Sequence, residues 1–204
     1  MLKSFTRYAF CVVATGAVSL ANALTYGNTS PFEVQSNHSP NYVLGVQVTI
    51  PQTISLQSFG LIYGLPGQGT NISNAIFGLY SSDANSGLPQ TLMAVTNPIN
   101  VNTAQTYDNI AFTSTPNINA GTYWMMALYQ SQASPRMSLL NGGSMVAYWS
   151  NSYGAGMPTN APGITTYFGQ NFNYWVNGNV VPEPVSLVVF GVGALAAGLR
   201  KRRR

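Results

Sequence analysis

Between Leu24 and Val181 few side chains can do acid–base or nucleophilic chemistry: the carboxylates Glu33, Asp83 and Asp108, the single histidine His38 and the single arginine Arg136. A glycosidase needs two carboxyl groups about 5–9.5 Å apart across the scissile bond. Asp83 sits in Ser-Ser-Asp-Ala-Asn, where an acceptor side chain stabilises the turn itself, and Asp108 precedes a strand in a similar way. A Ser–His–Asp triad would have to recruit His38 from the loop-like Asn37-His38-Ser39-Pro40-Asn41, and the chain contains no Gly-x-Ser-x-Gly elbow. Zinc sites need cysteine or several histidines; the only cysteine is Cys11, in the N-terminal segment. No catalytic residues, metal or cofactor are expected, and the chain is not expected to be an enzyme.

Aromatic residues are the remaining candidates. Tyr148-Trp149, Tyr153, Tyr167-Phe168 and Tyr174-Trp175 crowd the last third among Asn and Gln. A ring can stack on the C–H face of a sugar while an amide hydrogen-bonds its hydroxyls. Adjacent residues of a strand point to opposite faces, so one ring of each pair should be core and the other available. Trp149 and Trp175, with Tyr153 and Tyr174, are the residues this pattern nominates for glycan binding.

Short strands must position these residues. In Tyr42–Ile50 the residues Tyr42, Leu44, Val46, Val48 and Ile50 alternate with Gly45, Gln47 and Thr49, the period of a half-buried strand. SFGLIYG, AIFGLYSS, DNIAFTS, TYWMMALYQ, SMVAYWS, TTYFG and NFNYWV are further runs of aromatic and β-branched residues. Turn clusters such as GLPGQGTN, SDANSGLPQ and NAPG separate them. Charged residues are only 6% of the chain, but hydrophobic residues at 46% and aromatics at 12% argue for a folded core. Eight to ten strands without helices predict an all-β, jelly-roll-like β-sandwich over residues 24–179.

The two ends differ from this body. Lys3 and Arg7 precede an apolar run, Tyr8–Leu20, and the small-x-small step Ala21-Asn22-Ala23, which is the pattern of a secretory signal peptide over residues 1–23. At the other end, residues 180–204 contain Pro182-Glu183-Pro184, fifteen apolar or small residues (Val185–Leu199) and the cations Arg200, Lys201, Arg202, Arg203 and Arg204. Fifteen residues are short for a permanent span of roughly 20, and the cations would hold their end on the cytoplasmic side. Proline disfavours helix before it, so the segment around Glu183 should be extended, as a peptidase requires. The formal net charge of +4 therefore belongs to the ends. The body has one arginine against three carboxylates, a net of −2, which excludes nucleic-acid binding by phosphate neutralisation.

The tail resembles a PEP-CTERM sorting signal: the Pro-Glu-Pro step, a short apolar helix with Gly191, Gly193 and Gly198, and the terminal Arg cluster. This likeness covers about the last tenth of the chain. It implies a sorting transpeptidase (exosortase) as partner, a passing stay in the inner membrane, and delivery to the surface of a Gram-negative bacterium that makes exopolysaccharide. The stretch from Ala75 to the Ala120-Gly121-Thr122-Tyr123-Trp124 strand start also resembles the jelly-roll surface domains called choice-of-anchor domains. Together these imply an exported surface or matrix protein with a structural or interaction role linked to exopolysaccharide. The alternative is a carbohydrate-binding module, with a glycoside hydrolase more distant.

Overall fold

A computed structural model of the chain describes residues 23–139 and 144–181. They form an all-β, sandwich-like body, and every pairing between strands is antiparallel. The smaller sheet runs in the order β1 (Ala23–Gly27), β15 (Tyr174–Val180), β4 (Ile54–Tyr63), β8 (Gln105–Ala111), with β9 (Asn117–Ile118) also on β4. The larger runs β13 (Thr165–Phe168), β12 (Met145–Ser150), β3 (Tyr42–Ile50), β10 (Gly121–Tyr129), β5 (Ser73–Ser82), β6 (Pro89–Val95), with β7 (Ile99–Val101) also on β5. A third, three-stranded sheet has the order β14 (Gln170–Phe172), β11 (Arg136–Leu139), β2 (Val34–Gln35).

The period-2 signal explains the main core. Val46, Val48 and Ile50 of β3 point inward while Gln47 and Thr49 face solvent. Phe59 of β4 stacks on Phe77 of β5 with ring centroids 4.6 Å apart and planes 17° from parallel, which joins the two large sheets. Tyr174 of β15 meets both rings at 5.5 and 6.4 Å. Such aromatic contacts add about 0.5–1.5 kcal/mol each beyond the area they bury. The alternation fails at the start of β3, where Leu44 is half-buried and Tyr42 is exposed. Fifteen strands form among the described residues, more than the eight to ten expected, because several have only two or three residues. Ala23 pairs with Asn179 and Val180 with Ile54, so Ala23 and Val180 both belong to the smaller sheet.

The outer face of the larger sheet carries a second apolar cluster that includes Val43, Tyr80, Trp124, Met126, Leu128 and Trp149. The segment 151–164, with a 3₁₀ turn at Tyr153–Ala155, lies over it as a strap. The strap is fastened at its far end: Leu92 N–H donates to Thr159 O, Ala161 N–H to Gln90 O (2.8 Å each) and the Tyr80 hydroxyl to Pro158 O (2.6 Å).

Asn173 links the sheets to the N-terminal segment. It is fully buried, and its side-chain N–H groups donate to Asn28 O (3.0 Å) and Ser30 O (2.7 Å) while Oδ1 accepts from Phe32 N–H (2.8 Å). Its backbone N–H donates to Arg136 O and its carbonyl accepts from Ile62 N–H. Arg136 itself donates to the backbone carbonyls of Gly64 and Phe32.

Register fixes the two ends of the sandwich. Ala23 pairs with Asn179, Val180 with Ile54, and Val181 N–H donates to Thr53 O, so Ala23 and Val181 share one end. Tyr42 and Tyr63 mark the opposite end, roughly 27 Å away along β3 at about 3.4 Å per residue.

Gly45, in the middle of β3, supplies a sharp test of the packing. A Cβ there would collide with the backbone carbonyl of Met125 on the adjacent strand. Gly45→Ala should destabilise the protein by about 1–3 kcal/mol, the usual cost of overpacking. Equilibrium urea unfolding measures it, and a variant as stable as the parent would contradict this sheet register.

Candidate functional site

β1 faces β3 and β15 faces β10, so β12 and β13 reach past the edge of the smaller sheet. Their inner face there meets the small third sheet instead, and the two do not close. The gap is an open groove of about 470 Å³, within the roughly 300–1,000 Å³ typical of small-molecule sites. One wall is a row of tyrosines from three adjacent strands: Tyr42 on β3, Tyr148 on β12 and Tyr167 on β13. Successive ring centroids are 6.3 and 5.8 Å apart, with planes inclined by 54° and 60°. The other wall includes Met137 of β11 with Gln170 and Phe172 of β14, and the rim is Ser36–Ser39.

These groups are neutral. The Tyr167 hydroxyl donates to Gln170 Oε1 at 2.8 Å, and burial, with Tyr148 alongside, pushes its pKa up to about 12. Asn37 and Ser39 are exposed at the rim, whereas His38 between them is only 4% exposed. The alternation turns His38 inward because its backbone bridges Ala133 in both directions. Its ring stands edge-on to Tyr129 at 4.8 Å, and Nδ1 lies 2.8 Å from Ser39 O, so Nδ1 carries the proton. Nε2 is buried with no protein partner. Burial lowers the imidazole pKa to about 4, against a weaker opposing effect of the Ser39 carbonyl, and His38 is uncharged at neutral pH. Among the described residues, nothing lining the groove carries a formal charge at pH 7.

The aromatic residues nominated from sequence sit elsewhere, and this corrects that expectation. Trp149 (3% exposed) lies in the cluster under the strap, edge-on to Tyr80. Trp175 (4% exposed) lies on the outer face of the smaller sheet, where its indole covers Gly60 and donates to Asp108 Oδ1 at 3.3 Å. Tyr174 is fully buried between the sheets, and its hydroxyl meets that of Tyr129 at 3.1 Å. Tyr153 is half-buried in the strap with its hydroxyl enclosed. None of the first three can offer a ring face to a ligand. Tyr148 is the pair-mate of Trp149 on the other side of its strand, and Tyr167 comes from Tyr167-Phe168, a pair from which no ring was nominated. Tyr42 was legible as an opening ring in an alternating run, though not as an uncovered one.

The carboxylates do not join the groove. Asp83 accepts from the Ser86 N–H and hydroxyl and from Asn85 N–H, bonds that hold its carboxyl below the usual range in an exposed turn. Asp108, on β8, accepts from Trp175, Asn177 and Asn109. Glu33 is exposed just before β2. Among the described residues no three His, Cys, Asp or Glu side chains gather as metal ligands, and no helix is long and apolar enough to cross a membrane. Ala21, Pro182, Glu183, Pro184 and Arg200–Arg204, with the apolar segment between, lie outside the described residues.

Two measurements check these placements. Trp149→Ala and Trp175→Ala should each cost about 3–5 kcal/mol of stability in urea unfolding, as truncation of a buried large ring does. Loss below 1 kcal/mol in either would show an exposed ring. His38 gives a pH signature. Its folded pKa is depressed from 6.5 to about 4, so the unfolded chain binds more protons in that window. Stability from the neutral imidazole is complete above about pH 6.5 and falls by roughly 3 kcal/mol as pH drops to about 4. His38→Gln should remove most of that slope, while the loss due to Asp83 comes at lower pH, in the carboxylate range. An unchanged slope in His38→Gln would refute the buried, neutral assignment.

No protein-family model matches the chain and no curated protein matches it either, so what the groove holds has to be read from its own chemistry.

Proposed function

We propose that this is an exported protein of the cell surface or extracellular matrix, sorted through a PEP-CTERM tail and serving a structural or interaction role linked to exopolysaccharide. In this reading an exosortase-like transpeptidase grips Pro182-Glu183-Pro184 while the Arg-rich end holds the chain in the inner membrane. The body then passes to the surface or the medium, and its jelly-roll-like sandwich is the delivered cargo.

The observation that carries the proposal is the order of features in the tail, a Pro-Glu-Pro step, an apolar segment too short for a comfortable anchor and a cluster of cations, behind an N-terminal signal pattern. The geometry of the body suits it. Ala23 and Val181 sit at one end, as a body held to a membrane by its flanks needs, and the tyrosine groove lies toward the other. Val181 is bonded to Thr53, so the folded body reaches up to the residue before Pro182.

Replacing Pro182, Glu183 and Pro184 by Ala, with Val185–Arg204 retained, separates sorting from simple anchoring. Insertion should persist, because the apolar segment and the cations are intact. Release to the surface or medium of the native host should stop, with the full-length form accumulating in the inner membrane. Normal release of this variant, followed by fractionation and immunoblotting, would reduce the tail to an ordinary anchor.

A further inference from the structure

We propose that the groove formed by Tyr42, Tyr148 and Tyr167 against Gln170 and the Ser36–Ser39 rim is a binding site for a single, soluble chain of a neutral polysaccharide. The proposal rests on export of the body, since such a polymer is met outside the cell.

Three features select this ligand class. The first is the pairing of ring faces with uncharged hydrogen-bonding groups. Tyr42 is 39% exposed, Tyr148 and Tyr167 are partly buried, and hydroxyl and amide side chains stand opposite and around them. A sugar presents the complementary surfaces, an apolar C–H face and a belt of hydroxyls. A purely apolar ligand would leave Gln170 and the polar rim Ser36–Ser39 unpaired, at a cost for each group it desolvates.

The second feature is the absence of formal charge. Among the described residues neither Asp, Glu, Lys nor Arg lines the groove, and the buried imidazole beside it is neutral. An anionic polymer would find no cation there, and the body as a whole carries −2. Attraction must therefore come from stacking and hydrogen bonds.

The third is the arrangement of the rings. They come from neighbouring strands, so successive platforms follow one another across the sheet at 6.3 and 5.8 Å. A repeated platform fits a repeating ligand better than one sugar. Their planes are inclined by 54° and 60°, so the row cannot lie against a flat crystalline surface. It suits one flexible chain laid across it. A proline-rich peptide could also stack on tyrosines, but it brings few hydroxyls to Gln170 and the serine-bearing rim.

The test uses the full chain purified in mild detergent, run in native gels containing dextran, a soluble β-glucan or galactomannan, with alginate, microcrystalline cellulose pull-down and a decaproline peptide for comparison. At least one neutral soluble polymer should retard the protein, with less than a twofold change in Kd between 50 and 500 mM salt. Tyr42→Ala and Tyr148→Ala should each weaken binding tenfold or more, Tyr148→Phe should retain it, and Ile72→Ser, an exposed site elsewhere, should leave it unchanged. Circular dichroism melts on each variant separate lost binding from lost folding. Retention by none of the neutral polymers, equal binding by the folded Ala variants, tighter capture by cellulose or by alginate that the Ala variants abolish, or binding to decaproline alone would each overturn the proposal. Surface delivery of the Tyr42→Ala and Tyr148→Ala variants, scored in the native host, keeps the outcomes distinct. A folded variant that is delivered but does not bind upholds both proposals, and a wild-type chain that binds but is not delivered defeats only the sorting reading.

Discussion

One buried amide holds this architecture together. Asn173 commits both N–H donors and its oxygen to three backbone groups of the segment 28–32, while its own backbone joins Arg136 and Ile62. That segment leads directly into β2 and the rim of the groove, so the amide sets where the third sheet lies. Leaving any of these buried groups unpaired costs about 1–3 kcal/mol, so the position is committed to an amide. Aspartate has the shape but cannot donate, and it would bury a charge with nothing opposite. A body with one arginine and three carboxylates has little else with which to fasten segments, and neutral joints escape the desolvation penalty of buried ion pairs.

The groove is a consequence of unequal sheets. The inner face of the larger sheet extends beyond β1, and the small sheet held by Asn173 covers the overhang incompletely. On the outer face of the same sheet the strap closes over Trp149 and its neighbours. Two adjacent residues, Tyr148 and Trp149, therefore have opposite fates. One ring lines an open cleft and the next is core, and the difference lies in what covers each side of β12.

Much of this was legible in the chain, and the limits have physical causes. The alternation in Tyr42–Ile50 and the aromatic-rich runs announced the long strands, because burial on one face imposes period two on any sequence. Short strands such as β2, β9 and β14 carry too few residues to show a period. The parity argument placed Tyr174 and Trp175, and Tyr148 and Trp149, on opposite faces, but it expected one ring of each pair to be available, and Tyr174 and Trp175 are both buried. It could not say which face is covered, since that depends on partners distant in sequence. Trp175 faces outward and is still buried, because it lies flat on Gly60 and hydrogen-bonds to Asp108. The groove itself joins residues 36 to 172 through strand register, a property of the sheet order and not of any local stretch.

The pairing of β1 with β15 also bears on how the chain reaches its native state. The strands that flank almost the whole body are neighbours, with partners such as Ala23 and Asn179 more than 150 positions apart, and β4 needs β15 on one of its edges. The smaller sheet thus cannot assemble around its centre until the last strand is present. Contacts of such high order slow folding into the range of milliseconds to seconds for β-proteins, because loop-closure entropy is spent before pairing repays it. A chain threaded across a membrane from its N-terminus would stay incomplete, with β4 unpaired along one edge, until residue 180 had crossed. For a chain exported in the way proposed above, closure of the sheet would coincide with arrival of the tail at the membrane, and the topology would time maturation to the end of translocation.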